Sequence, residues 1–229
     1  SPVCSCCGGS GYIGSTMCRC LADLCLEEQK KELTLLAGSN ASFDQFRLEY
    51  YPDAIDPNMG VNVRAVMAKT LDICRKYAQN FSNASENLFF CGDTGLGKTF
   101  LSSCIATAAT RQGYSVTYET ASRLFAKLEK NRFNPDDESR LACAQLLQCD
   151  LLIVDDLGTE LTNSFTVAAL YGLVNERLLS GKSMIVSTNL TMEDMQKRYS
   201  PQIASRLRGS FTRVAFLGED IRVLKNRGL

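Results

Sequence analysis

Gly92-Asp93-Thr94-Gly95-Leu96-Gly97-Lys98-Thr99 satisfies the GxxxxGK[ST] pattern of a phosphate-binding loop. Glycines at these spacings let consecutive backbone N–H groups turn towards phosphate oxygens, and a helix starting at the loop's end adds the positive end of its dipole. Lys98 is placed to reach the β- and γ-phosphates of ATP or GTP, and the Thr99 hydroxyl to hold Mg²⁺. A second run, Asp150-Leu151-Leu152-Ile153-Val154-Asp155-Asp156, reads as a buried parallel strand ending in two acids. Asp155 at its C-terminal end can bind Mg²⁺ directly or through water, and Asp156 can act as general base on the attacking water. Asn189 follows a third apolar run, Met184-Ile185-Val186-Ser187. It can hydrogen-bond that water or the γ-phosphate, although Asn after a strand often only starts a turn.

The N-terminal cysteines form a separate constellation. Cys4-x2-Cys7 and Cys18-x-Cys20 offer four thiolates on two short turns, with Gly8, Gly9, Gly11 and Gly14 between them. Turns of this kind can close a tetrahedral structural Zn²⁺ site and leave Cys6 as the spare. A reduced, unstructured tail and a redox pair are the alternatives. Cys25, Cys74, Cys91, Cys104, Cys143 and Cys149 sit in apolar patterns and read as small core residues.

The elements that must position these groups follow from periodicity. A helical pattern over 21–37 ends at Gly38, and an irregular aromatic connector follows with Phe43, Phe46, Tyr50 and Tyr51. The spacing of Val63, Val66, Met67, Leu71, Cys74 and Ala78 predicts an amphipathic helix over 62–81. From residue 87, strands over 87–91, 115–119, 150–154, 183–187 and 213–217 alternate with helices over 98–112, 120–130, 137–148 and 164–180 and a short segment over 191–208. Such alternation implies a parallel α/β sheet, with ligands at the strands' C-terminal ends.

At 229 residues with 45% apolar content and a formal net charge of +0, the chain suits one α/β domain with a small appendage. The neutral balance gives no global signal for nucleic acid or membrane. No apolar run approaches the roughly 18 residues of a membrane span, and no signal peptide is visible, so a cytoplasmic protein with no membrane partner is expected. The chain opens at Ser1 three residues before the cysteine motif, which suggests an upstream region. Locally, Lys197, Arg198, Arg206, Arg208, Arg213, Arg222, Lys225 and Arg227 face only Glu219 and Asp220. Arg123, Lys127, Lys130 and Arg132 interleave with Phe125 and Phe133, a composition that suits single-stranded DNA if the phenylalanines are not core.

The Gly92–Thr99 loop, the run Leu151–Gly158, Ser187-Thr188-Asn189-Leu190 and Ile203-Ala204-Ser205-Arg206-Leu207-Arg208 follow one another in a way that resembles bacterial replicative helicase loaders of the DnaC/DnaI type. These are AAA+ ATPases grouped with the IstB-like transposition helpers. Phe43-Asp44-Gln45-Phe46 with Tyr50-Tyr51 resembles their aromatic lead-in, and the cysteine cluster with Gly11-Tyr12-Ile13 resembles the cysteine segment of DnaI-like loaders. The resemblance implies an AAA+ P-loop fold with a five-stranded parallel sheet flanked by helices. It divides the chain into a cysteine-rich segment over 1–25, a linker over 26–86 and an ATPase domain over 87–229. It also implies Asn189 as sensor 1, Arg206 as an arginine finger acting on a neighbouring subunit's ATP, and Arg222 as a sensor-2-like contact to γ-phosphate.

The implied function is ATP binding and Mg²⁺-dependent hydrolysis that controls homo-oligomer assembly on single-stranded DNA and a hexameric helicase. The helicase contact is expected through a region absent from this chain. The rivals are an IstB-like transposition helper acting on duplex DNA, a small-molecule P-loop kinase, and a zinc-dependent binding module whose nucleotide site is only structural.

Overall fold

The computed structural model describes residues 4–13, 16–21, 24 and 41–226. The helix expected over 21–37, with Cys25, lies outside the described residues apart from Leu21 and Leu24. A two-stranded antiparallel hairpin, β1 (Tyr12–Ile13) and β2 (Thr16–Met17), opens the described chain. The aromatic connector then forms two 3-10 turns, Phe43–Gln45 and Leu48–Tyr50.

Helix α1 (Val63–Gln79) begins at Asn62, whose side chain accepts the Ala65 N–H at 2.9 Å. That bond satisfies one of the donors every helix start leaves open. Strand β3 (Asn87–Cys91) then leads through the glycine-rich loop into α2 (Lys98–Arg111). Next come β4 (Val116–Thr120), α3 (Ala121–Phe133), α4 (Asp137–Gln148) and β5 (Leu151–Leu157). After α5 (Ser164–Leu179) and β6 (Ser183–Thr188), the segment expected over 191–208 resolves into α6 (Met192–Arg198) and α7 (Pro201–Ser210). Thr191 caps the first and Ser200, followed by Pro201, the second. β7 (Phe211–Ala215) and the short α8 (Ile221–Asn226) complete the domain.

The five long strands form one parallel sheet in the order β4-β5-β6-β3-β7. Both faces are buried, as parallel sheets require. Successive residues alternate between them: Leu88, Phe90, Ile153, Ile185 and Val214 pack with α1 and α2, while Phe89, Leu152, Val154, Met184 and Val186 pack with α3, α5 and α7. The chain leaves β3, crosses to the β4 edge, returns through β5 and β6, and passes β3 again to reach β7. β3 is therefore where the direction of winding reverses, the position at which open α/β sheets bind ligands.

Two strands differ from the sequence expectation by more than one residue. β5 runs on to Leu157, because a register break between Val154 and Leu157 lets Leu157 resume pairing with Thr188. β7 starts at Phe211, since its pairing with β3 runs from Asn87 opposite Phe211 to Cys91 opposite Ala215.

A buried arginine ties the far end of the sheet together. Arg177 is fully buried and donates to the carbonyls of Leu146 (2.8 Å) and Leu147 (3.1 Å), and to those of Cys149 (3.1 Å) and Ser183 (2.6 Å). It thus satisfies orphan carbonyls at the end of α4 and anchors the start of β6. Arg177→Met should cost about 3 kcal/mol, because several buried carbonyls lose their donor together. Urea unfolding measures this, and a loss under about 1 kcal/mol would show the clamp to be dispensable.

Candidate nucleotide-binding site

The Gly92–Thr99 loop leaves the C-terminal end of β3, and α2 begins at Lys98. The loop's carbonyls are held from several directions. Gly97 O accepts the Leu101 N–H (3.0 Å), Leu96 O the Tyr51 hydroxyl (2.8 Å), and Gly95 O the Ile221 N–H (3.0 Å). Lys98 Nζ donates to Gly92 O and Asp93 O, each at 2.6 Å. Burial lowers the Lys98 pKa, while the charges of Asp156 and Asp155 act to raise it.

Two glycines are required by contacts. Gly97 has φ 91°, and a Cβ there would lie 3.1 Å from both the Phe46 ring and the Tyr51 hydroxyl. Gly95 has φ 76°, and its Cβ would overlap the Asp220 carboxylate at 2.0 Å.

The adjacent acids of β5 have opposite environments. Asp155 is buried and accepts the Tyr118 hydroxyl at 2.7 Å on one oxygen and the Ser187 hydroxyl on the other. Asp156 adopts φ 56°, the left-handed region an aspartate tolerates better than most residues, and its N–H donates to Ser187 Oγ at 3.0 Å. Its side chain lines the cavity beside the loop. Partial burial and the Asp155 charge raise the Asp156 pKa, against the pull of Lys98 and Arg222. Asn189 follows β6 and donates from Nδ2 to Thr94 Oγ1 at 3.4 Å, so it lies against the loop.

Arg222 lines the same cavity and is held by Asp220, Nη2 to Oδ2 at 2.8 Å and Nε to Oδ1 at 3.0 Å. Arg206 lies on the exposed side of α7 and makes no ion pair among the described residues. The structure therefore brings Lys98, Thr99, Asp155, Asp156, Asn189 and Arg222 to one end of the sheet, whereas Arg206 is exposed and does not line the cavity there.

The cavity holds about 350 Å³, and part of its wall was not foreseen. Gln45, Phe46, Tyr50 and Tyr51 line it opposite Thr94, Gly95 and Lys98. Phe46 stacks on Tyr51 at a centroid distance of 5.5 Å and packs against Phe100 at 6.1 Å. The connector is thus an apolar wall of the size and character that accepts a nucleoside base. Its sequence signal was aromatic density in an otherwise polar connector.

The basic face of α3 differs from the expectation. Phe125 is core, packed in the cluster behind the sheet. Glu119, itself buried, pairs with Lys127 and with Arg123 at 3.4 Å. Lys130 pairs with Asp136 (2.9 Å) and Glu138 (3.3 Å). These acids come from β4 and from around the start of α4, and they neutralise the helix. Phe133 remains 68% exposed, against the Phe165 ring at 5.3 Å.

Cys4, Cys7, Cys18 and Cys20 converge, all four sulfurs lying within 4.8 Å of one another. Cys4 and Cys18 Sγ are 3.9 Å apart, and Cys7 and Cys20 Sγ 3.4 Å. A tetrahedron with Zn–S bonds of about 2.3 Å separates its sulfurs by about 3.8 Å, so the donor set and spacing fit Zn²⁺. Bonds from the Cys6 and Cys7 amides hold the Cys4 thiol down to about 6, whereas the Cys7 and Cys18 thiols push Cys20 up to about 12. Among the described residues of the remainder, Cys74, Cys91, Cys104, Cys143 and Cys149 are buried, as core residues should be.

A glycine-rich loop after β3, paired acids on β5 and a polar residue after β6 define an AAA+ P-loop fold. Over residues 64–206, more than half its length, the chain matches the family described as IstB-like ATP binding protein, and it belongs to that family. It is similar to the replicative helicase loader DnaC of Escherichia coli (strain K12), 23% identical over 169 residues covering 74% of this chain and 63% of that protein. The chain thus spans less than two thirds of the length of such relatives. It is also similar to the insertion sequence ATP-binding protein y4pL of Sinorhizobium fredii, 31% identical over 61% of this chain and 58% of that one. A crystal structure of the DnaC helicase loader shares the fold, with a TM-score of 0.64 at 20% identity over 78% of this chain and 98% of that one. No described helix is long and apolar enough to cross a membrane.

Metal analysis tests the cysteine site directly. The purified protein should carry close to one equivalent of Zn²⁺, and Cys18→Ser/Cys20→Ser should lose it while retaining ATP binding. Under half an equivalent in the wild type, or an unchanged value in the double variant, would remove zinc from the description.

Proposed function

We propose that this chain binds ATP with Mg²⁺, hydrolyses it, and uses the nucleotide state to control assembly on single-stranded DNA and on a hexameric replicative helicase. The observation that carries this reading is the convergence of Lys98, Asp156 and Arg222 on one cavity, with Asn189 bonded to Thr94 of its wall, while Arg206 makes no ion pair among the described residues and lies outside it. Lys98 would exchange its two loop carbonyls for β- and γ-phosphate oxygens. Thr99 and Asp155 would hold Mg²⁺, which supplies charge neutralisation on the phosphates. Because both Asp155 oxygens already accept hydroxyl hydrogen bonds, contact through water suits that residue.

Asp156, with its raised pKa and its place on the cavity wall, suits the general base. Asn189 would orient the attacking water or the γ-phosphate. Arg222 would meet γ-phosphate within its own subunit, and Arg206 would do so from a neighbouring one in a homo-oligomer, since a guanidinium spreads the charge of the transferred group. The base would rest against Phe46 and Tyr50.

Single-stranded DNA is the proposed nucleic-acid partner. The exposed Phe133 beside Phe165 is a better stacking candidate than the neutralised face of α3. The cysteine segment is proposed as a separate zinc-organised unit over 1–25, ahead of a linker over 26–86 and the ATPase domain over 87–229, in a cytoplasmic protein. A transposition helper is the second reading, favoured by the 31% identity to an insertion sequence ATP-binding protein. Stimulation of turnover by duplex rather than single-stranded DNA would select it.

Lys98→Ala should abolish tight binding of a fluorescent ATP analogue, whereas Asp156→Asn should bind it and lose turnover. Wild-type affinity in Lys98→Ala would overturn the phosphate-loop reading. Arg206→Ala should bind ATP yet lose assembly-dependent hydrolysis, and mixing it with Lys98→Ala should restore part of the activity, each subunit supplying what the other lacks. Co-assembled mixtures without recovery would end the trans role.

A further inference from the structure

Asp220 is positioned to compete with the terminal phosphate for Arg222. Its carboxylate holds the guanidinium through two bonds, at 2.8 and 3.0 Å, and the Arg222 N–H donates to Oδ1 at 2.9 Å. The pair is not free to drift from the loop. Ile221 N is bonded to Gly95 O at 3.0 Å, and the Asp220 carboxylate occupies the space that a Gly95 side chain would fill. A negative charge therefore lies against the phosphate-binding loop, beside a cavity that Asp156 and Arg222 also line. The charged groups on the cavity wall are Arg47, Lys98, Asp156 and Arg222. Of these, Arg222 is the one Asp220 grips.

We propose that Asp220 is a specificity-determining residue that holds Arg222 off the nucleotide until a γ-phosphate displaces it, so that the Asp220–Arg222 pair sets the preference for ATP over ADP. This rests on the reading of Arg222 as a γ-phosphate contact. The reason is competition between two anions for one planar, bidentate donor. ADP presents no oxygen at the γ position and leaves the pair closed. ATP binds only as well as its γ-phosphate outbids the carboxylate, so the affinity observed is reduced by the fraction of molecules in which Arg222 is held.

Asp220→Asn is the informative variant, because asparagine keeps the hydrogen-bond acceptor that serves the start of α8 while removing the charge. Binding of a non-hydrolysable ATP analogue and of ADP is measured by titration calorimetry in the wild type, Asp220→Asn, Arg222→Ala and the double variant. The expected result is ATP-analogue binding tightened about threefold to tenfold in Asp220→Asn, ADP binding changed by less than about twofold, and no gain from Asp220→Asn when Arg222 is already alanine.

Equal tightening of both nucleotides, a gain that persists without Arg222, no change, or weaker ATP binding would each overturn the proposal, the last by showing that Asp220 positions the arginine. Arg222→Ala separates the two readings. If it binds the ATP analogue like the wild type, the γ-phosphate role of Arg222 fails and the competition fails with it. If it weakens the analogue while Asp220→Asn does nothing, only the competition fails. Thermal unfolding of each variant, with Asp220→Ser as a second uncharged cap, excludes misfolding as the cause of a change.

Discussion

A loop that turns its amides inward around a phosphate must turn carbonyls outward, and each outward carbonyl needs a donor. That requirement organises the nucleotide end of this molecule. The Leu96 carbonyl recruits Tyr51, Gly95 recruits the start of α8 through Ile221, and Gly97 is served by Leu101 within its own helix. Tyr51 in turn fixes Phe46, and Ile221 fixes Asp220 and Arg222 beside the loop. Two segments far apart in the chain, the connector near 46–51 and the segment 220–222, are thereby drawn to the same eight residues. The walls of the cavity follow from the backbone bonding of the loop.

The same logic separates the two acids of β5. On a regular strand, neighbouring side chains would point to opposite faces, and one of them would be lost in the core. The register break after Val154 and the left-handed backbone of Asp156 redirect the second acid into the cavity, while Asp155 stays buried. Tyr118 and Ser187, one from each neighbouring strand, supply Asp155 with the hydroxyl donors that a buried carboxylate needs. Burial pushes the Tyr118 hydroxyl well above its ordinary range, so it remains a donor. Ser187 also accepts the Asp156 amide, so one hydroxyl steers both acids.

Residues whose partners lie nearby in sequence were legible. The phosphate loop, the apolar β5 run and the capped helices carry their signals within a few positions, and the cysteine spacing already predicted a convergence of sulfurs. What the sequence hid depends on long-range pairing. Nothing around Tyr51 announces a bond to Leu96, and nothing in the Asp220 segment announces a contact with Gly95. The span of β7 was two residues off, because its ends are set by pairing with β3 rather than by its own apolar pattern. The partners of the basic run on α3 were only partly legible: Glu119 lies four residues before Arg123, whereas Asp136 and Glu138 meet Lys130 only in the folded state.

Neutralising α3 has a consequence for how a nucleic acid would be held. Phosphate attraction needs cations without competing carboxylates, and Lys127, Arg123 and Lys130 already have theirs. Exposed Arg206 and Arg208 on α7 lie on a helix whose first residues follow directly from α6, which Asn189 and the β6 end precede in the chain. Glu160 reinforces that link. It accepts the Tyr199 hydroxyl just before α7, while its other oxygen takes the Gly158 N–H after β5 at 3.0 Å. The arginine-bearing helix is therefore tied to the same strand end that carries Asp156.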